Sequence, residues 1–230
     1  MKFTDKAILL NRINYSESSL IITYYTLQNG IQKFLFQGGK KKANNLFPLS
    51  ISEITYYSRP DSTLGKVTAS ETTQILSELP FHPIKSTIAF FIAEFLSKCL
   101  QTEEKEVLLF HFLEEKIILL DREKDISLFP IQFLLDFSEF LGIQPHVISK
   151  TGTYFNLMEG DISEIKPIGD IYAQGEPVQL IHACLAKELD IQHTNKLRNE
   201  TLDVLIQYFQ LHIPQFKTLK TLEVIREVLY

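Results

Sequence analysis

Residues 37–42 read "QGGKKK", two glycines followed directly by three lysines. Three consecutive ammonium groups are suited to phosphate. One phosphate chemistry that sets glycine beside lysine is the nucleoside-triphosphate loop. It requires GxxxxGK followed by Ser or Thr, between a strand and a helix. Here Lys41 and Lys42 follow Lys40, no GxxxxG spacing precedes them, and both flanks read as strands, so that reading is set aside. Two remain open at this point. The lysines can neutralise several backbone phosphates of a nucleic acid, or they can belong to a solvated loop that keeps a strand edge wet.

The other chemistry-bearing residues are dispersed. His82, His111, His146, His182, His193 and His212 show no HxxxH or HxH pair, and none has a cysteine at ligand spacing. The zinc templates are therefore unmet, and structural histidines are expected. Glu103-Glu104, Glu114-Glu115 and the run Asp121 to Asp125 are adjacent carboxylates, which point in different directions on a helix and fit a solvated face. No GxSxG appears. Cys99 and Cys184 fall on apolar helical stripes and read as core thiols. No catalytic motif emerges among these residues.

The positive cluster stands in an acidic chain. The 230 residues carry a formal net charge of -5. Residues 1–80 hold nine Lys/Arg and six Asp/Glu, a net +3, and residues 81–230 hold fourteen and twenty-two, a net -8. Such a split suggests two parts with different partners, the basic part attracting phosphates or acidic peptides. Two distant cysteines and no CxxC pair fit a reducing cytoplasm. The opening "MKFTDKAILL" reads as mature protein, and the apolar run Ile88 to Ala93 is far too short to span a bilayer.

Strand patterning fills the first seventy residues. "KAILLNRI" and "SSLIITYYTL" are strand-like, and Asn29-Gly30 signals a hairpin turn, because both residues tolerate positive φ. In "IQKFLFQG", Phe34 and Phe36 share one face and Lys33 and Leu35 the other. In "LFPLSISEITYYSR", Ile54 and Tyr56 oppose Thr55, Tyr57 and Arg59. Arg59-Pro60-Asp61 marks a turn, and "GKVTASE" supplies a fifth strand. Five short strands fit a small barrel of the OB type, and an SH3-like barrel equally. Tyr57 and Arg59, with Lys33 and Arg12, are candidates to join a binding surface with Lys40, Lys41 and Lys42, since OB barrels use aromatics as stacking platforms for unpaired bases.

After Pro80 and Pro83 the period becomes helical. Ile88, Phe91, Ile92, Phe95, Leu96 and Cys99 make one stripe, and Leu109, Phe112, Leu113, Ile117 and Leu120 a second. A third helix, Ile131 to Leu141, ends at Gly142. Residues 143–176 are rich in glycine and read as an irregular insertion, with a hairpin in "TGTYFNLMEGD". Helices resume at Val178–Leu189, Lys196–Ile213 and Leu219–Leu229. The overall expectation is an α+β multidomain chain, with an OB-type barrel at 1–80 followed by a mainly α-helical domain at 81–230.

The order of these pieces resembles the RecO family of bacterial recombination mediators. The resemblance is carried by "KAILLNRINYSESSLIITYYTLQNGIQKFLFQGGKKK", "FLLDFSEFLGIQPH" and "LRNETLDVLIQYFQLHIPQFKTLKTLEVIREVL", and spans nearly the whole chain. It implies an OB barrel, binding of single- and double-stranded DNA and annealing of complementary strands. It also implies partnership with RecR, and in many cases RecF, to load RecA, and engagement of the acidic, Phe-ending tail of the single-stranded-DNA-binding protein. A nucleoid-associated protein of the cytoplasm is implied with it. The chain departs from the family twice. Many members carry a four-cysteine zinc site in the segment matching 143–176, and this chain has no cysteine there. No zinc or other cofactor is therefore expected, with Tyr154, Phe155 and Leu157 packing the segment instead. Ser16 stands where the family commonly has glycine. A different reading is an adaptor whose barrel binds an acidic peptide tail without touching DNA.

Overall fold

A computed structural model describes residues 1–41, 46–59, 62, 64–100, 105–169, 171–188, 192–214, 216 and 218–228. The chain divides into two compact units, Met1–Glu123 with Leu219–Ile225, and Lys124–Thr218 with Arg226–Tyr230. Among the described residues no helix is long and apolar enough to cross a membrane.

The first unit begins with five strands, β1 Lys2–Asn14, β2 Leu20–Thr26, β3 Gly30–Phe36, β4 Ile51–Tyr57 and β5 Gly65–Thr72. They close into a barrel in the order β1-β2-β3-β5-β4. The β3–β5 pair is parallel and the other four are antiparallel. This is the OB arrangement, and it settles the choice that strand count alone left open. Phe34, Phe36, Ile54 and Tyr56 point inward and are buried, while Lys33 and Tyr57 are exposed, as the period-two alternation predicts. Burial of each of these large apolar side chains contributes about 1.5–3 kcal/mol.

One strand expectation needs correction. β1 runs for 13 residues rather than forming a short buried run. Its first half pairs with β4 and its second with β2, so barrel closure extends it past its apolar centre. The register slips between Leu9 and Asn11, a bulge that bends the strand from one partner to the next. At the β2–β3 turn, Gly30 has φ +56 but Asn29 does not have positive φ. Three residues, Leu27 to Asn29, join the strands, and Gly30 alone takes the left-handed position. The Asn29 N–H donates to Thr26 Oγ1, which makes the positive φ at Asn29 unnecessary.

Helices α1 Pro83–Cys99 and α2 Val107–Arg122 complete this unit together with Leu219–Ile225. Pro83 opens α1 where a missing N–H costs nothing. The α1 stripe Ile88, Phe91, Ile92, Phe95 and Leu96 is buried as expected. On α2 the buried ring is Phe110, and Phe112 is half-buried beneath Lys116, whose Nζ lies 5.5 Å from the ring centroid. The apolar face is rotated towards Phe110 because that ring stacks on Tyr25 of the barrel. The segment before α1 is tied down by Asp121, whose carboxylate accepts from the backbone N–H of Ser77, Glu78 and Leu79.

The second unit contains α3 Phe129–Phe140, four short strands, α4 Glu176–Leu185 and α5 Asn195–His212. Gly142 has φ +67 just beyond α3. The strands β6 His146–Val147, β7 Tyr154–Asn156, β8 Asp161–Ser163 and β9 Tyr172–Gln174 form one sheet ordered β6-β8-β7-β9. The expected hairpin is the β7–β8 pair. A last helix, α6, covers Thr221–Val228. Glu103, Glu104, Leu189 and Leu229 lie outside the described residues.

Candidate nucleic-acid interface

The lysine loop is built on the end of β3. Gly38 has φ +68, a conformation that favours glycine. Gly39 is buried for another reason: a Cβ there would stand 3.0 Å from Phe36 Cδ1 and 3.3 Å from Leu20 Cδ1. The Lys40 N–H donates to Ser18 O at 3.2 Å, which joins the loop to the β1–β2 turn, and the Lys41 N–H donates to Gly38 O. Both glycines thus let the chain turn tightly over the barrel core and join the lysine loop to the β1–β2 turn, which begins at Tyr15, 64% exposed. Lys41 is exposed and Lys40 half-buried. Lys42 lies outside the described residues, as do Pro60 and Asp61 of the expected turn.

A second group forms where β4 ends. A cleft of about 510 Å³ is lined by Met1, Tyr57, Ser58, Arg59, Ser62, Leu64, Lys66 and Thr68. The Met1 nitrogen donates to Ser58 O at 2.8 Å, and the Ser62 N–H to Arg59 O at 3.1 Å, fixing both walls. Tyr57 and Arg59 both line this cleft, but β4 ends at Tyr57, so Arg59 reaches it from beyond the strand and not from a shared strand face. The cleft contains none of Arg12, Lys33, Lys40 or Lys41.

Arg12 lines a separate groove with β1 residues, Phe47, Pro48 and the α1 residues Phe90, Glu94 and Lys98. The bulge in β1 sets Arg12 opposite the inward-facing Ile22, and so off the outer surface that holds Tyr57. Lys33 is exposed on β3 opposite Thr23. It shares a face with Leu35, which pairs with Lys66, so Lys33 lies on the same outer surface as the cleft.

Local sequence pattern does not single out Tyr15, Lys66 or Lys2. Tyr15 follows the end of β1 and gains meaning only from the Lys40–Ser18 hydrogen bond. Lys66 opens the predicted fifth strand, yet its neighbour Tyr57 is set by a register no local pattern contains.

Two of the histidines hydrogen-bond within the fold. His82 Nδ1 accepts the Lys85 N–H at the start of α1, and His212 Nε2 lies 2.9 Å from Leu157 O. Burial pushes the Cys99 thiol far above its ordinary range and Cys184 up to about 11, away from nucleophilic use. In the 143–176 segment Phe155 and Leu157 are buried and Tyr154 is half-buried against Tyr172. The small sheet is thus centred on apolar rings and Ile162, and its residues supply no thiolate set for zinc.

Residues 1–76 match the family described as Recombination protein O N terminal, and residues 81–222 match Recombination protein O C terminal. The chain belongs to the RecO family. Similar curated proteins carry the name DNA repair protein RecO. One from Christiangramia forsetii is 31% identical over 238 residues, covering 99% of each chain. One from Phocaeicola vulgatus is 31% identical over 232 residues, covering 96% of each. RecO membership places this barrel-and-helix architecture in DNA repair and recombination, and it accounts for the OB barrel at the N-terminus.

Proposed function

We propose that this RecO chain is a non-enzymatic recombination mediator that binds single- and double-stranded DNA through its barrel and anneals complementary strands. The observation that carries the reading is an exposed aromatic grouped with cations on the barrel, Tyr57 with Arg59 and Lys66 around one cleft, together with a lysine loop whose backbone is hydrogen-bonded to the β1–β2 turn. Ammonium and guanidinium groups hold the backbone phosphates. The tyrosine rings accept unstacked bases. Two strands held this way lose part of their mutual repulsion and pair by their own hydrogen bonding, with no covalent step asked of the protein. Lys40, Lys41 and Lys42 are the principal phosphate-binding groups, Arg12, Lys33 and Arg59 support them, and Tyr57 stacks a base. The helical part offers a groove to protein partners, RecR and RecF among them, the tail of the single-stranded-DNA-binding protein is a further partner, and RecR then helps load RecA in the nucleoid.

The test is annealing of complementary oligonucleotides, bare and coated with the single-stranded-DNA-binding protein, combined with a RecR pull-down. The reading expects faster annealing in both cases and retention of RecR. Capture of the coating protein's tail with no DNA binding would replace it with the adaptor reading. A cleaved product appearing with magnesium would replace it with a hydrolase.

A further inference from the structure

We infer that the outer face of β1, β4 and β5 carries a subsite for one unpaired nucleotide, in which Tyr57 stands between Lys2 and Lys66. This rests on the DNA-binding reading and deepens it by assigning the form of nucleic acid that the face selects.

The row follows from the register. Tyr57 pairs with Lys2 on β1 and with Lys66 on β5. Directly paired residues project to the same side of a sheet, and neighbouring strands lie about 4.8 Å apart. One aromatic ring is thus flanked on both sides by an ammonium group, and all three residues are exposed. Arg59 stands just beyond the strand end and lines the same cleft. The described residues lining it include no carboxylate, and Leu64, 38% exposed, gives it an apolar wall. A space of about 510 Å³ is large enough for a base and its sugar.

The same face changes sign further along. Glu53 and Glu71 pair with each other on β4 and β5, four residues from Tyr57 along β4. At about 3.4 Å per residue this limits the attractive end to a stretch of roughly 14 Å. Charge and shape therefore favour a short anionic segment with a planar group at its centre.

The tyrosine decides between single strand and duplex. Bases in a duplex already have both faces stacked, so only an unpaired base offers a free π-face to Tyr57. The lysines attract either form. Tyr57 should contribute to single-strand affinity alone, and Lys66 to both.

The chain contains no tryptophan, so Tyr57→Trp installs a unique reporter. Labelled oligothymidine should quench its emission with the same midpoint as the rise in anisotropy, while duplex of equal length binds without quenching. Tyr57→Ala should lower single-strand affinity roughly tenfold and leave duplex affinity unchanged, and Tyr57→Phe should restore it. Lys66→Ala should weaken both forms and flatten the salt dependence. Both positions are exposed, and an unchanged urea midpoint checks the fold. DNA binding without quenching, and with full affinity in Tyr57→Ala, overturns the subsite while leaving barrel binding intact. Equal quenching by duplex overturns the single-strand assignment. No oligonucleotide binding by the unaltered protein overturns the subsite and the DNA-binding reading together.

Discussion

Gly39 lies so close under Phe36 that a Cβ at position 39 would stand 3.0 Å from the Phe36 ring. This close approach couples the lysine loop to the barrel core. Gly39→Val is expected to destabilise the protein by about 1–3 kcal/mol through overpacking and to weaken DNA binding by displacing Lys40 and Lys41. Gly38→Ala meets open space but must adopt φ +68, so a loss of about 1 kcal/mol with an undisturbed core is expected. Urea midpoints of the two variants, read beside their DNA affinities, separate the effects.

Asp121 and Asp5 respond to acid in opposite directions. Burial raises the Asp121 carboxyl, but N–H groups of Leu79, Glu78 and Ser77 outweigh it and hold the group below its ordinary range. Its stabilisation is present above the unfolded value of about 4 and is lost as pH falls through the lower folded value. Asp121→Ala should therefore cost about 2–4 kcal/mol at pH 7 and flatten the acid limb of stability. Burial raises Asp5 above its ordinary range despite hydrogen bonds from Gln28 and Asn29. Its effect is unfavourable once pH exceeds its unfolded value, so Asp5→Asn should improve the ratio of pH 7 to pH 4 stability. Urea unfolding of each variant across that range checks both signs.

Gly160 supports the second unit in a way that a substitution should expose. It has φ +82, and a Cβ there would lie 2.6 Å from Tyr208 Oη, which itself donates to Ile143 O at 2.8 Å. Gly160→Ala should cost at least about 2 kcal/mol, since backbone strain adds to a displaced hydrogen bond. Tyr208→Phe, which loses only the hydroxyl, should cost about 1 kcal/mol. Thermal unfolding of both variants tests the order.

The apolar packing of Phe155, Leu157 and Ile162 predicts a sheet that keeps its fold without metal. Elemental analysis of the purified protein should find no bound zinc, and chelator treatment should leave the melting temperature unchanged. About one zinc per chain, or unfolding on chelation, would contradict this, because structural sites bind tightly.

Much of the architecture was legible because it rests on local periods. Lys33 against Phe34, and Tyr56 against Tyr57, fall on the sides that alternation assigns. The α1 stripe and the stop at Gly142 follow from helical spacing and backbone freedom in the same way. What escaped depends on distant partners. The β1 bulge at Leu10 and the extension to Asn14 come from closing a barrel on two neighbours. The strands β6 to β9 are two or three residues long, too short to show a period. Tyr57 could be placed on the outer face from spacing alone, but Arg59 lies beyond the strand end, and Lys66 and Lys2 join Tyr57 only through register. Arg12 shows the reverse, a cation named for its type that the bulge directs into another groove.

If the barrel binds DNA through the lysine loop, the salt dependence of single-strand affinity must carry the signature of those lysines. Anisotropy titrations at several salt concentrations should give a linear plot of log affinity against log salt. Changing Lys40, Lys41 and Lys42 together to Ala should weaken binding and reduce the slope by roughly 0.7 for each phosphate that is no longer neutralised. An unchanged affinity and slope in that variant would contradict binding through that loop.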